Sequence, residues 1–172
     1  WLTNACAVAA TGKTTLAVRT DGSVAAWGDP ATGLLAVPPD LTDAVAVHAA
    51  GNLAVAVRRG GGLAVWGGSL VAPVAVPPQL TGVVQAVVSE NLILALLNTG
   101  HVWQWNPADG IRRSRPELAG AVSLSSGMVL RANGEIVSLK GYSFSPPFTG
   151  VVALHGHFAL RADGTLWRLL YP

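Results

Sequence analysis

Charged side chains are scarce in this chain of 172 residues. Asp, Glu, Lys and Arg make up 12% of the sequence and the net charge is +2, whereas charged residues are roughly 25% of an ordinary soluble domain. So small a positive balance argues against a nucleic-acid partner, which is normally bound by a pronounced basic surface. The mean hydropathy of +0.45 means that many apolar side chains must face outward or meet a neighbour, which predicts membership of a larger assembly.

Cysteine and long apolar runs are also lacking. The one cysteine, Cys6, excludes an internal disulfide, and as a small apolar residue it is predicted to be buried in the first strand. No stretch approaches the ~18 consecutive apolar residues that a membrane-spanning helix requires, so no membrane span is expected. The N-terminus has no basic segment followed by an apolar core, so no signal peptide is expected either.

Catalytic and metal-binding patterns are missing as well. Residues 12–15 (GKTT) resemble the end of a phosphate-binding loop, but neither the first glycine of that motif nor a following helix accompanies them. His155 and His157 would share one face of a strand, without a third candidate ligand nearby. The nine acidic residues are scattered, with no pair placed for acid–base chemistry. We therefore expect no enzyme, no cofactor and no small-molecule substrate.

A five-residue phrase that ends in glycine recurs along the chain. Four of its copies carry an arginine three residues before the glycine, and the five glycines are Gly22, Gly61, Gly100, Gly134 and Gly164. The repeat units occupy residues 2–40, 41–79, 80–117, 118–147 and 148–172, so successive units begin 39, 39, 38 and 30 residues apart. A fixed period of this length predicts a single domain of repeat architecture.

Each unit has the pattern of short β-strands. In the second unit, residues 44–47, 53–57 and 63–66 alternate and are rich in β-branched side chains, which predicts three strands. The recurrent glycine fits a hairpin turn with positive φ between the second and third strands, and the Pro-Pro pairs mark the loop into the next unit. Repeats of about 40 residues with three or four strands each are typical of β-propeller blades. We predict an all-β propeller.

The repeat phrase also resembles a known family. Residues 18–28 (VRTDGSVAAWG) and 160–167 (LRADGTLW) resemble the hallmark of the regulator of chromosome condensation repeats. The 39-residue spacing is similar to that of the family's short-repeat branch, which includes a secreted propeller that inhibits β-lactamases. Members of the family usually close seven blades. The repeats of this chain predict four blades plus a partial fifth, and an incomplete ring leaves strand edges exposed. The chain is therefore expected to be a segment of a larger ring, to close as a smaller or irregular propeller, or to have its ends covered by other copies. The absence of Met at position 1 favours a segment or a processed chain.

Tryptophan recurs in register with the turn glycine. Trp27, Trp66 and Trp105 each lie five residues after it, and we predict that they are core wedges between blades. Trp103 and Trp167 lie two residues nearer the glycine. We assign them to the opposite strand face and expect them to be exposed.

A candidate contact surface combines aromatic and basic side chains. Arg112 and Arg113 belong to the one basic cluster, which we place on the long loop of the third unit. Propellers bind through loops on one face, and interface anchors favour Trp, Tyr and Arg. The candidate contact residues are Trp103, Arg112, Arg113, Tyr142 and Phe144; the alternative is that these side chains pack between blades. The repeated arginines at positions 19, 58, 131 and 161 are predicted to have a structural role beside the turns.

Three function classes remain open. The sequence favours a non-enzymatic protein-interaction or structural module of a larger assembly, extracellular or at the cell surface, whose partners are proteins or neighbouring subunits. The family resemblance implies two alternatives. One is a secreted propeller that binds and inhibits a hydrolase, and the other is a guanine-nucleotide exchange factor.

Overall fold

The computed structural model describes residues 2–68, 74, 76–89, 91–110, 112–125, 127–139 and 149–169. These residues form five small antiparallel sheets, one for each repeat unit, with two short 3₁₀ helices at Pro30–Thr32 and Pro116–Leu118. Sheet 1 contains β1 (Ala5–Ala10), β2 (Thr14–Arg19) and β3 (Val24–Gly28); sheet 2 contains β4 (Ala44–Ala50), β5 (Leu53–Arg58) and β6 (Leu63–Gly67); sheet 3 contains β7 (Val83–Ser89), β8 (Leu92–Leu97), β9 (Val102–Trp105) and β10 (Arg112–Ser114); sheet 4 contains β11 (Ala121–Ser125), β12 (Met128–Arg131) and β13 (Ile136–Ser138); sheet 5 contains β14 (Val151–His155), β15 (Phe158–Arg161) and β16 (Leu166–Arg168). The all-β prediction is confirmed.

The sheets radiate from one side of the molecule. Within each sheet the strands follow chain order, so β1, β4, β7, β11 and β14 lie at one edge of their sheets. These first strands pack against one another from sheet to sheet, and β4, β7, β11 and β14 each also contact the second strand of the preceding sheet. The first strands therefore line the inside of an arc, and the later strands spread outward as in propeller blades.

At Gly22, Gly61 and Gly134 the repeated glycine joins a sheet to the next one. Gly61 has φ +75°, and a Cβ on it would lie 2.8 Å from the Cα of Gly82, at the start of the following unit. The carbonyl of Gly61 accepts a hydrogen bond of 2.9 Å from the N–H of Val83. The same bond joins Ala44 N–H to the carbonyl of Gly22. Glycine is thus needed both for the backbone conformation of the hairpin turn and for the close approach of the next sheet.

The core lies between the sheets. We call the face that a sheet turns toward the next sheet its trailing face, and the opposite face its leading face. On the trailing face of sheet 1, Leu16 and Val18 are fully buried, and they pack in one cluster with Ala54, Ala56 and Trp66 on the leading face of sheet 2. Large side chains on one face thus fill the space above small ones on the other.

The prediction that the repeated tryptophans are core wedges is confirmed in sheets 2 and 3, each of which follows another sheet. Trp66 and Trp105 are buried, and the indole N–H of Trp66 donates a hydrogen bond of 2.9 Å to the carbonyl of Leu34 in the loop between sheets 1 and 2. Trp27 is exposed, because among the described residues no sheet covers the leading face of sheet 1.

Two sequence predictions are wrong in their local structure. Trp103 does not lie opposite Trp105, because residues two apart on a strand point to the same side; both pack against one core cluster, and Trp103 is half-buried. Arg112 and Arg113 lie on β10 rather than in a loop, and they pair with Trp105 and Gln104 of β9. The polar sequence of β10 carries no alternation from which a strand could be predicted.

Candidate functional site

Every first strand carries a β-bulge at its second residue. The pairing of β4 with β5 matches Ala44 to Arg58 and then Ala46 to Val57, so Val45 between them has no partner across the ladder. The same shift occurs in the other four sheets. The bulged residues are Cys6, Val45, Val84, Val122 and Val152. We call this set the inner rim, since the first strands line the inside of the arc. A bulge redirects a side chain that regular pleating would turn into the sheet interface.

The inner rim is apolar and open to solvent. Its four valines are 46% to 57% exposed, although the residue before each of them is buried. Cys6 is exposed too, so the prediction that it is buried is wrong: the bulge points its side chain outward. The sequence offered no signal for this, because a bulge leaves the hydrophobic pattern of the strand unchanged.

Polar side chains on the first strands bridge neighbouring sheets. Gln85 of β7 donates from Nε2 to the carbonyl of Leu124 at 2.9 Å and accepts at Oε1 from the N–H of Leu124 at 2.7 Å. Its amide therefore connects sheets 3 and 4 as a backbone ladder would. Ser125 Oγ likewise accepts a hydrogen bond of 2.8 Å from the N–H of Gly156, which connects sheets 4 and 5.

His48 makes the corresponding link between sheets 2 and 3. Its Nδ1 accepts a hydrogen bond of 3.0 Å from the N–H of Val88, so Nδ1 must be unprotonated there. Burial lowers the pKa of His48 below its usual 6.5, and the positive charge of a protonated His155 lowers it further. His155 lies on β14 of sheet 5. The imidazole of His48 is thus held neutral and acts as a structural acceptor.

The repeated arginines beside the turns have the structural role that the sequence predicted. Arg58 forms ion pairs with Asp40 at 2.5 Å and with Asp43 at 2.6 Å, in the segment that leads into its own sheet. Arg131 pairs with Glu135 at 2.8 Å and also donates to the carbonyl of Glu117. Bonds to Arg131 and Asn133 lower the pKa of Glu135. These guanidinium groups fasten the hairpin turn to the chain that enters the same sheet.

The predicted contact residues are partly brought together. Trp103 on β9 and the exposed Arg112 and Arg113 on β10 lie on adjacent strands at the outer edge of sheet 3. Tyr142 and Phe144 lie outside the described residues. The inner rim was missed by the sequence analysis. Valine recurs at this position in units two to five, but the hydrophobic pattern of a strand does not distinguish a bulged residue from a buried one.

The described residues show no catalytic arrangement. A cleft of about 520 Å³ lies beside β6, and its charged lining residues, Arg58 and Asp40, are already paired with each other. Across the described ranges no group of three or more His, Cys, Asp or Glu side chains could hold a metal ion. No helix in the described part of the chain is long and apolar enough to cross a membrane.

Comparison with known proteins gives structural matches alone. No protein-family model and no curated protein sequence matches the chain. The structure of human WBSCR16 matches with a TM-score of 0.70 and 14% identity, over 96% of this chain and 62% of that one. Yeast RCC1 (Prp20) in complex with Kap60 matches with 0.67 and 16%, over 92% and 54%. Prp20p from Saccharomyces cerevisiae matches with 0.64 and 16%, over 92% and 55%.

The chain therefore spans 54% to 62% of the length of these solved structures. The sequence identity to these structures is only 14% to 16%. The structural likeness therefore establishes the fold, but it does not establish the activity. The five small antiparallel sheets agree with that likeness. The chain has the RCC1-like β-propeller fold that its repeats resemble.

Proposed function

We propose that this chain is a non-enzymatic protein-interaction module and that the inner rim is its contact surface. The observation that carries the proposal is the repetition of one exposed apolar side chain at the same bulge in all five sheets. A single exposed valine is ordinary, but a contiguous apolar row is the mark of an interaction site. Neighbouring first strands pack together, so the five positions follow one another along the arc.

The chemistry of the rim points to an apolar protein segment as the partner. The residue after each bulge is uncharged: Ala7, Ala46, Gln85, Ser123 and Ala153. A surface of this kind gains free energy by removing apolar area from water, about 25 cal/mol per Å². A charged or strongly hydrated ligand would gain little there. The scarcity of charged residues in the whole chain agrees with an apolar partner.

The structural neighbours support a protein partner. Yeast RCC1 (Prp20) was solved bound to Kap60, and Prp20p binds Gsp1p and histones. Those partners belong to those proteins. For this chain they support the proposal that the ligand is a protein, and they do not identify that protein.

Within this function we favour a structural role in a larger assembly, extracellular or at the cell surface, and a place in the short-repeat branch of the family. A hydrolase inhibitor and a guanine-nucleotide exchange factor are the alternatives. The outer edge of sheet 3 is proposed as a second contact surface, since Arg112 and Arg113 are exposed there beside Trp103. Inhibition of a β-lactamase, or release of nucleotide from Gsp1p, by the purified chain would distinguish the alternatives.

The rim can be tested without knowledge of the natural partner. Peptides selected from a random display library on the folded chain are expected to be rich in apolar residues. Their affinity, measured by fluorescence polarisation, should fall at least about tenfold in Val84→Asp and in Val122→Asp, because each places a charge in the apolar contact. Ala132→Asp, at an exposed hairpin turn, is the matched control and should bind as the wild type does. Equal affinity in all four proteins, or no enrichment of binders, would contradict the proposal.

A further inference from the structure

Strand β10 combines positive charge with an unpaired edge. Two of its three residues, Arg112 and Arg113, are arginines, and all three residues are exposed. The strand pairs with β9 on one side, and it lies at the end of sheet 3, so no other described strand pairs with its opposite edge. An unpaired strand edge can accept a further strand.

The pairing of β10 with β9 determines which backbone groups point to this free edge. The N–H of Arg115 donates a hydrogen bond of 2.9 Å to the carbonyl of Val102, which lies opposite it when the register of β10 is continued by one residue. Hydrogen-bonded and non-hydrogen-bonded residue pairs alternate along an antiparallel ladder. Arg113 therefore bonds to β9 as Arg115 does, whereas the N–H and C=O groups of Arg112 and Ser114 point to the free edge.

The two arginine side chains of β10 have no bonding partner among the described residues. The next basic residue, Arg115, by contrast pairs with Glu117 and donates to Gln104. Because successive residues of a strand point to opposite faces, Arg112 and Arg113 place one positive charge on each side of the free edge. Two adjacent charges without a counterion attract anionic groups.

We infer that the free edge of β10 binds an acidic, extended protein segment, which adds to sheet 3 as a further antiparallel strand. The backbone groups of Arg112 and Ser114 bond to the added strand, as in other cases of strand addition. Two consecutive acidic residues of the segment lie across from Arg112 and Arg113, one on each face, where opposite charges stabilise the pairing. This inference rests on the proposal that the outer edge of sheet 3 is a second contact surface, and it gives that surface a ligand.

Charge on an edge strand also has another use, because it prevents pairing with unrelated strands. The outer strands β3, β6 and β13 likewise end their sheets, yet none of them contains a charged residue. Charge is therefore not the general means by which this chain protects its outer edges. On β10 the two arginines disfavour basic strands and favour acidic ones, so they select the partner.

The small size of the contact predicts weak, reversible binding. Three residues of strand edge bury far less area than a standard protein–protein interface of about 1,600 Å². Much of the affinity must then come from the charges, and binding should weaken as the ionic strength rises.

The test uses a fluorescent synthetic peptide of alternating threonine and valine residues with two consecutive glutamates at its centre. Fluorescence polarisation should show binding to the wild-type chain, with an affinity at least about tenfold lower for the double variant Arg112→Glu, Arg113→Glu, because both ion pairs become like-charge pairs. The same peptide with two lysines in place of the glutamates should bind the double variant and not the wild type. Arg59→Glu, at an exposed hairpin turn of sheet 2, is the matched control and should bind the acidic peptide as the wild type does.

Amide hydrogen exchange followed by NMR separates strand addition from simple charge attraction. On peptide binding the amides of Arg112 and Ser114 should exchange more slowly, whereas that of Arg113 is already bonded to β9 and should change little. A peptide whose central amides are N-methylated keeps its charge but cannot donate these hydrogen bonds, and it should not bind.

Three results would each overturn the inference. These are no binding of the acidic peptide by the wild type, an equal loss of binding in Arg59→Glu and in the double variant, and undiminished binding of the N-methylated peptide. Circular dichroism should show the wild-type fold in the double variant, since both side chains are exposed; if it does not, Arg112→Ala with Arg113→Ala replaces it. The inner rim is tested separately, because Val84→Asp should leave binding of the acidic peptide unchanged.

Discussion

At the scale of the residue, the turn glycine has two roles that the structure allows one to separate. Gly61 and Gly164 have almost the same backbone conformation, with φ of +75° and +80°. Around Gly61 the next sheet approaches closely, whereas around Gly164 no described atom lies within 4 Å of a Cβ position. The first glycine serves conformation and packing, and the second serves conformation alone.

Alanine substitution should therefore affect the two glycines unequally. We expect Gly164→Ala to lower the free energy of unfolding by about 1 to 2 kcal/mol, the cost of a left-handed residue that has a Cβ. Gly61→Ala should lower it by about 2 to 5 kcal/mol, because overpacking against the backbone of Gly82 is added. Urea denaturation at a concentration where the chain is monomeric measures both. An equal loss of unfolding free energy in the two variants would mean that the close approach to the next sheet does not contribute to stability.

His48 makes stability depend on pH. Burial, with the charge of His155, places the pKa of folded His48 below the unfolded value. As pH falls, the unfolded chain takes up this proton before the folded chain does, so unfolding becomes easier. The contribution of His48 to the free energy of unfolding is complete above about pH 6.5, the ordinary pKa of histidine. It is lost as the pH falls through the lower pKa of the folded state.

Two substitutions of His48 separate charge from hydrogen bonding. In His48→Asn the amide oxygen can accept from Val88 N–H in place of Nδ1, so we expect the fall in thermal stability between neutral pH and pH 5 to become shallower. His48→Ala leaves the Val88 N–H without this acceptor and should cost about 1 to 3 kcal/mol even at pH 8. Thermal unfolding followed by circular dichroism across this pH range is the measurement. An unchanged pH profile in His48→Asn would show that another group controls acid stability.

At the scale of the element, one side chain replaces a strand ladder. Gln85 exchanges two hydrogen bonds with the backbone of Leu124 in the next sheet, and Leu124 is buried. Gln85→Ala should lower the free energy of unfolding by about 1 to 3 kcal/mol, since the Leu124 N–H loses its partner. Val84→Ala, at the exposed bulge beside it, should change stability by no more than about 0.5 kcal/mol. Denaturant titration of the two variants compares them, and similar values would contradict a bridging role for the amide.

The elements themselves show what a sequence can and cannot predict. The hairpins around Gly22 and Gly61 were predictable, because alternating apolar residues and a glycine turn are local signals. The bulge at Val45 was not, since it depends on a shift of register between two strands. Strand β10 was missed because Arg112 and Arg113 show no alternation, and it forms only because β9 offers a free edge. Gln85 acquires its role from a backbone in another sheet, which no spacing along the chain reveals.

At the scale of the whole molecule, the repeat predicted the fold, because each unit must cover the apolar face of its neighbour. It did not reveal which faces remain uncovered. The exposure of Trp27, against the burial of Trp66 and Trp105, follows from position along the arc rather than from local sequence. For the same reason the inner rim appeared only once the first strands were assembled side by side.

Small-angle X-ray scattering on the purified chain tests most directly whether the five sheets form an open arc. Extrapolation to zero concentration removes any contribution of association to the scattering. A compact chain of this length has a radius of gyration of about 16 Å. An open arc should give a larger value, with a profile that matches the five-sheet structure. A value at or below about 16 Å with the profile of a closed ring would mean that sheets 1 and 5 meet within one chain, and the open arc would be contradicted.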